Sequence, residues 1–512
     1  MNKLRSFLLA VAIILTLSVP GHSSATKLYI TADGSALGDC TKSPHTPHWF
    51  NDPSNWGGGE GRIGPGTTVL ICGNFKGTPG ATEFTFQGDG QVGNPITLVF
   101  DTNAELDAPY WGYKWDGTGG AINISNHSYV IVDGGSDGVI ENTANGDNLV
   151  YQHASEGVAA MRCQSCIIEN LKISNIYVHA ENGRDNFDHT LMRCISFSGS
   201  NWIIRNNSMH DAGWCLWEGY NIGDGNVSIY NNKVYNIDHG WMLANYGPVR
   251  NRESGPFNFY GNQVSGYQNW DTKNNAYHHD GVHCFSGGAG GIPPHITELN
   301  IYNNLFDTPV GTHINAHIFI EGGNGPTATP CADSTSRIDI YNNVLRMDQL
   351  TYMGLISAGS GDLSIYNNTI LGVNTAKGNC FNAFSTVSHL RFENNAVARC
   401  NILIFFATNV QATIDHNSYG EGGGNSFVCN KEFLGPDRFS RWKSCIGGDA
   451  HSSYSPSLRL SERGLPQPHS PAIRAGANLT YLGIPALNKD ALGNPRPATG
   501  PWDVGAFQYV AQ

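Results

Sequence analysis

Residues 227–232 read VSIYNN, and this phrase decides the fold because the chain keeps repeating it. It returns as LNIYNN from Leu299, IDIYNN from Ile338, LSIYNN from Leu363 and LRFENN from Leu390. Looser versions are NWIIRNN from Asn201, FNFYGN from Phe257 and ATIDHN from Ala412. Each is a short alternating apolar strand ended by an asparagine pair or a close substitute, and another short apolar strand accompanies it in each period. No helix-length amphipathic pattern separates the repeats. A unit of this kind cannot bury its apolar face alone, so successive units must stack as coils. The pattern predicts an all-β chain, a single-stranded parallel β-helix of about ten or more coils, right-handed by the crossover preference. Equivalent positions on neighbouring coils then lie about 4.8 Å apart.

The asparagines are read as structural. Asparagine tolerates the left-handed backbone of a sharp corner, and its amide can hydrogen-bond from coil to coil. The 62 glycines and a charged fraction of only 14% suit tight corners better than helices.

Lys3 and Arg5 precede an apolar run from Phe7 to Val19, and Ser23-Ser24-Ala25 supplies the small residues of a cleavage site. Residues 1–25 therefore read as a secretory signal peptide, too short in its apolar core to span a membrane. Residues 26–120 read as an N-terminal cap and opening coils, 121–425 as the repeats with a cleft, and 426–512 as a loop-rich C-terminal capping element. All 12 cysteines follow the leader, which suits an oxidising compartment and a secreted or periplasmic protein. Cys380 with Cys400, Cys40 with Cys72 and Cys429 with Cys445 are the expected disulfides, and Cys163 and Cys166 are read as structural. The net charge of -12 weighs against a nucleic-acid partner, no membrane anchor is expected, and the chain is expected to be a monomer.

The coil pattern, with the tail DALGNPRPATGPWDVGAFQY from Asp490, resembles the pectin-lyase-like right-handed β-helix superfamily and the closing element of secreted bacterial β-helix repeat proteins. The resemblance implies a carbohydrate partner, a polysaccharide substrate above all. It is specific for fold rather than reaction, since that superfamily holds lyases, hydrolases, epimerases and adhesins. The polygalacturonase motifs are absent. His279-Asp280 is similar to the His-Asp element of mannuronan epimerases, without the rest of that motif.

Candidate site residues gather where each coil enters its first strand: Asp188-His189, His210-Asp211, Asp238-His239, His278-His279-Asp280 and His313. Strict alternation predicts that Glu218, His283, His317 and Glu321 point outward just beyond. Eleven of the 19 histidines lie between His153 and His317, so the concentration is not a matter of composition. The catalytic candidates are His279, Asp280, His283, Asp238, His239, Asp211 and His210. Substrate-binding candidates are Trp214, Trp241, Tyr246 and Trp270, which suit sugar stacking, with Arg250, Arg252 and Lys273 for an acidic sugar and Glu321 and His317 beside them. Trp217 alternates as a core residue.

Three chemistries fit this inventory. β-Elimination on a uronic-acid polysaccharide needs the carboxylate neutralised, a base such as His279 or His283 for the C5 proton, and an acid for the leaving oxygen. A uronate epimerase shares the first two steps. Glycoside hydrolysis needs two carboxylic acids, and equal stacking would set Asp211 about 5 Å from Asp238 and about 10 Å from Asp280. Asp211, Asp238 and Asp280 are the calcium candidates, and His210, His239, His279 and His283 with an Asp are the transition-metal candidates. A non-catalytic carbohydrate-binding or adhesive solenoid would instead spread aromatic and polar groups over many coils. The lyase is the first expectation, the hydrolase the second.

Overall fold

The computed structural model describes residues 26–145, 153–177, 192–220, 224–245, 253–267, 279–286, 293–311, 314–323, 329–349, 353–384, 386–407, 410–423, 426–435 and 437–511. The signal-peptide reading lies outside them. Alternating apolar residues in each phrase pair side by side in one sheet of 13 strands, from Lys27–Thr31 at one end to Ala412–Asp415 at the other. Neighbours within it are parallel and in register, as in Phe257↔Leu299 and Leu299↔Ile338. The remaining faces belong to a second, larger sheet. Its longest strands, Ser208–Tyr220, Lys233–Asn245 and Thr369–Ala383, turn a corner of the coil without breaking. The result is a right-handed parallel β-helix, all-β and single-stranded, with one apolar core running its length.

The asparagine pairs divide their labour. The first residue of the pair takes the left-handed corner, with φ of 59° at Asn206, 56° at Asn231, 54° at Asn303 and 48° at Asn367. The second is buried and forms a ladder. Asn304 Nδ2 donates to Phe259 O at 2.9 Å and to Asn343 Oδ1 at 3.0 Å, while Asn304 Oδ1 accepts from Asn262 N at 2.9 Å. The same pattern runs from Asn207 through Asn232, Asn262, Asn304, Asn343, Asn368 and Asn395 to Asn417. A buried amide so placed satisfies backbone groups that the corner removes from the strand ladder.

Both ends are covered. At the start, Thr46 caps the short helix Pro47–Asn51, which lays Phe50 edge-on against Trp56, Phe84 and Phe86. At the far end the helix Arg438–Ile446 drives Trp442 onto Phe406 and Phe427. The tail beyond does something different: it docks along one flank. Leu479, Leu487 and Trp502 cover Tyr341 and Tyr366. The outward amides of the first asparagines hold it, Asn367 donating to Asp503 O and Gly505 O at 3.1 Å and Asn394 to Ala477 O at 2.9 Å.

Cys40–Cys72, Cys380–Cys400 and Cys429–Cys445 are disulfide-bonded as expected. Cys284–Cys331 is a fourth bridge, which neither stacking nor spacing pointed to. Cys163, Cys166, Cys194 and Cys215 are buried free thiols. Disulfides of this number belong to a protein that folds in an oxidising compartment. No helix among the described residues is long and apolar enough to cross a membrane.

Candidate active site

Hydrogen-bond register, rather than sequence position, decides which side chains meet. Glu156 lies opposite Arg193 on the next coil, Trp214 opposite His239, and His239 opposite Asp280. Ile195 lies opposite Leu216, so two residues earlier on each strand Arg193 falls level with Trp214. Glu156, Arg193, Trp214, His239 and Asp280 therefore form one column across five consecutive coils.

Strict alternation fails just beyond this column, with a large consequence. Two consecutive residues of each strand face the core: Cys194-Ile195, Cys215-Leu216, Gly240-Trp241 and Gly281-Val282. Cys194, Ile195, Cys215, Leu216, Trp241 and Val282 are core members. A Cβ on Gly281 would stand 2.6 Å from the Tyr267 hydroxyl and 2.9 Å from the Phe306 ring, and one on Gly240 would stand 3.3 Å from the Val264 side chain. The residues flanking each inward pair, three apart, share the outer side. Arg193 thus joins Ser196, Trp214 joins Trp217, and Asp280 joins His283.

At the centre the Asp and His of two adjacent coils cross. Asp238 Oδ1 lies 3.5 Å from His279 Nε2, and His239 Nε2 lies 3.7 Å from Asp280 Oδ2. His283 Nδ1 lies 3.6 Å from the same Asp280 Oδ2, and its Nε2 lies 3.7 Å from Glu321 Oε2. The Ala316 amide donates to Asp280 Oδ1 at 3.0 Å. Around them stand Trp214, edge-on to His239 at 5.4 Å, and Phe285 and Phe319, at 4.9 and 4.8 Å from His283. Asp238, His239, His279, Asp280 and His283 are buried, whereas the Glu321 side chain keeps 29% of its exposure and carries the cluster to the surface.

Burial sets the charges. It pushes the Asp280 carboxyl well up, helped by the charge of Glu321 and opposed by the Ala316 amide. It drives the His283 imidazole down to about 3 and that of His317 to about 4, so both are neutral near neutrality. Farther along the column, burial raises Glu156 to about 7 against the pull of Arg193.

Other expected positions fall elsewhere. Asp211 is not level with Asp238: His210 lies opposite Tyr235 and Ala212 opposite Ile237, which puts Asp211 beside Asn236 at a left-handed corner. Its carboxylate contacts its own neighbour, His210, at 2.5 Å, and the His210 ring stacks on Tyr235. The equal-stacking distances between Asp211, Asp238 and Asp280 therefore do not hold, and these three carboxylates do not converge on one ion. Trp241 is in the core, parallel to Phe259 at 5.3 Å, so it offers no face to a sugar. Its indole donates to Glu218 at 3.1 Å, and Glu218 is fully buried rather than outward. His317 also points inward, its Nδ1 accepting from Tyr267 Oη (2.9 Å) and its Nε2 donating to Arg346 O (2.7 Å). Trp217, expected in the core, lies on the outer side with the Arg193 guanidinium 3.8 Å above its ring. Arg250, Arg252, Lys273, Tyr246, Trp270, Asp188, His189, His278 and His313 lie outside the described residues.

Arg193 and Glu156 were missed in the sequence. Cations in the long loops stand out in the sequence, whereas Arg193 sits on a strand, directly before Cys194, where only register reveals it.

No family model and no curated protein matches the chain. Among solved structures it is similar to pectate lyase Pel9A, with 15% identity and a TM-score of 0.38 over 95% of this chain and 97% of that one. XylC in complex with xylose gives 10% identity and a TM-score of 0.46 over 95% and 98% of the two chains. A rhamnogalacturonan lyase gives 11% and 0.37 over 77% and 87%.

Proposed function

We propose that the chain acts on a polysaccharide and that the column from Glu156 to Asp280 is the floor of its cleft. The observation that carries this reading is the column itself: a cation, an indole, an imidazole and a carboxyl at the same height on consecutive coils, with the crossed Asp238–His279 and His239–Asp280 pairs at one end. Burying five ionisable side chains together is costly, and a corner needs only one of them. The concentration in a few coils favours an enzyme over an adhesive face.

The reaction we assign is β-elimination on a uronic-acid-containing chain. A guanidinium suits a sugar carboxylate because its fork binds both oxygens. Arg193 occupies the column about 14 Å, or three coils, from Asp280, so it would bind the carboxylate of a neighbouring sugar in the chain rather than that of the sugar being cleaved. Trp214 lies between, 7% exposed, and walls the column beside His239. His279 is the base for the C5 proton, with Asp238 holding its ring and stabilising the imidazolium that forms. Where base and leaving oxygen share one face of the sugar, the same imidazolium returns the proton to the oxygen.

Glycoside hydrolysis is the second reading, and one observation favours it. Asp280 and Glu321 flank His283 from opposite sides in unlike surroundings, one fully buried and the other part-exposed, as an acid and a base must be. The test is a screen of the mature protein on pectic, alginate, glycosaminoglycan and neutral polysaccharides, following ultraviolet absorbance and reducing ends together. New absorbance with new ends supports elimination. Ends without absorbance would replace it by hydrolysis, and neither, on a polysaccharide shown to bind, would leave epimerisation or binding.

A further inference from the structure

We infer that His239, Asp280 and His283 form a binding site for a divalent transition-metal ion of the zinc class. One ligand atom from each lies within 4.8 Å of the others, and all three residues are buried. The two contacts to Asp280 Oδ2, 3.7 Å from His239 Nε2 and 3.6 Å from His283 Nδ1, are longer than hydrogen bonds. They are close to what two ligands of one ion require, since bonds of about 2.1 Å in a tetrahedron put ligand atoms about 3.4 Å apart.

The donor set names the metal class. Two imidazoles and one carboxylate suit zinc and its neighbours and leave one position open, whereas calcium takes six or more oxygens. Calcium, the first expectation from sequence, does not fit these three residues.

The surroundings orient the ligands as metal sites require. The Ala316 amide occupies Asp280 Oδ1 at 3.0 Å and so turns Oδ2 toward the two imidazoles. Glu321 Oε2 stands 3.7 Å from His283 Nε2, beyond hydrogen-bond distance, on the side of the ring away from Asp280. All three ligands are on strands of adjacent coils, and the residue after His283 is locked by the Cys284–Cys331 disulfide. The inward Gly240 and Gly281 bring the ligands to one side, because the alternation they interrupt would otherwise put Asp280 and His283 on opposite faces of their strand.

A second group, Asp415, His416 and His451, makes an internal control. There His451 Nδ1 already bonds Asp415 Oδ2 at 2.7 Å, and its side chain is 69% exposed. It is a hydrogen-bonded pair at the surface.

The experiment uses the full mature protein, stripped with chelator, and needs no substrate, so it fails or succeeds independently of the polysaccharide assay. Zinc is titrated by calorimetry, cobalt is followed by its visible absorption, and calcium is the competitor. We expect one equivalent of zinc, four-coordinate cobalt bands, and no displacement by calcium. His283→Gln and His239→Gln should each weaken zinc by about a hundredfold or more, and His451→Gln should leave it unchanged. Two separate ligand variants are used so that a folding defect in one, seen in its melting curve, leaves the other decisive. No stoichiometric zinc in the wild type, an affinity lost in His451→Gln but kept in His283→Gln, or displacement by calcium would overturn the site.

Discussion

Asp238 and His279 face each other across two adjacent coils at 3.5 Å, and the very next residues face each other in reversed order, His239 opposite Asp280. The reversal gives every carboxyl an imidazole on the neighbouring coil. Had both coils carried the same order, like charges would have stacked, which opposes burial.

Asp238→Asn keeps the shape of the side chain and removes its charge. We expect turnover to fall by about 10²–10⁴-fold, the usual worth of a positioned acid–base pair, with the melting curve little changed. His279→Gln should fall by a similar factor, and the double variant by hardly more than either alone, since the two act as one unit. Initial rates of the four proteins on the substrate from the screen decide this. Losses that multiply would mean independent roles.

Arg193→Gln should raise KM for an acidic polysaccharide by roughly tenfold to a hundredfold, the worth of one charge-assisted pair, and change kcat much less. Arg193→Lys should recover only part, since an ammonium lacks the fork. Equal losses on neutral and acidic polymers would remove the guanidinium from carboxylate recognition.

Glu156 predicts a pH dependence of stability. Burial raises its folded pKa from 4.5 to about 7, so the folded protein holds a proton that the unfolded chain has released. The resulting stability is fully present below about pH 4.5 and is lost as pH rises through about 7. Compared with Glu156→Gln, the wild type should lose on the order of 3 kcal/mol across that window and nothing further above it. Urea denaturation of both proteins at several pH values measures it, and a difference independent of pH would refute it.

Asn304 sits mid-ladder. Asn304→Ala removes its bonds to Phe259 O and Asn343 Oδ1 and leaves the Asn262 amides without their acceptor. Stability should fall by about 2–4 kcal/mol. Asn303→Ala loses mainly a left-handed corner preference and should cost about 1 kcal/mol. Chemical denaturation of the two variants gives the ranking, and equal costs would contradict the division of labour within the pair.

The amino-acid sequence by itself determined the solenoid. An alternating strand and an Asn that tolerates φ near +55° are local properties, so each phrase announced its own strand and corner, and repetition announced the stack. The disulfide Cys380–Cys400 followed from the same logic. The tertiary structure alone decided what lies beside what. The unbroken strands Ser208–Tyr220 and Lys233–Asn245 pair residue for residue, so Asp211, two residues from the level of Asp238, misses it, while Arg193 arrives in the column unannounced. The two consecutive inward residues of each coil then reverse the sides of Trp217 and Trp241 and bring Asp280 and His283 together. Register is set by hydrogen bonds between strands remote in sequence, and the facing of a side chain by the core it must fill, so neither is written in any one stretch of the chain.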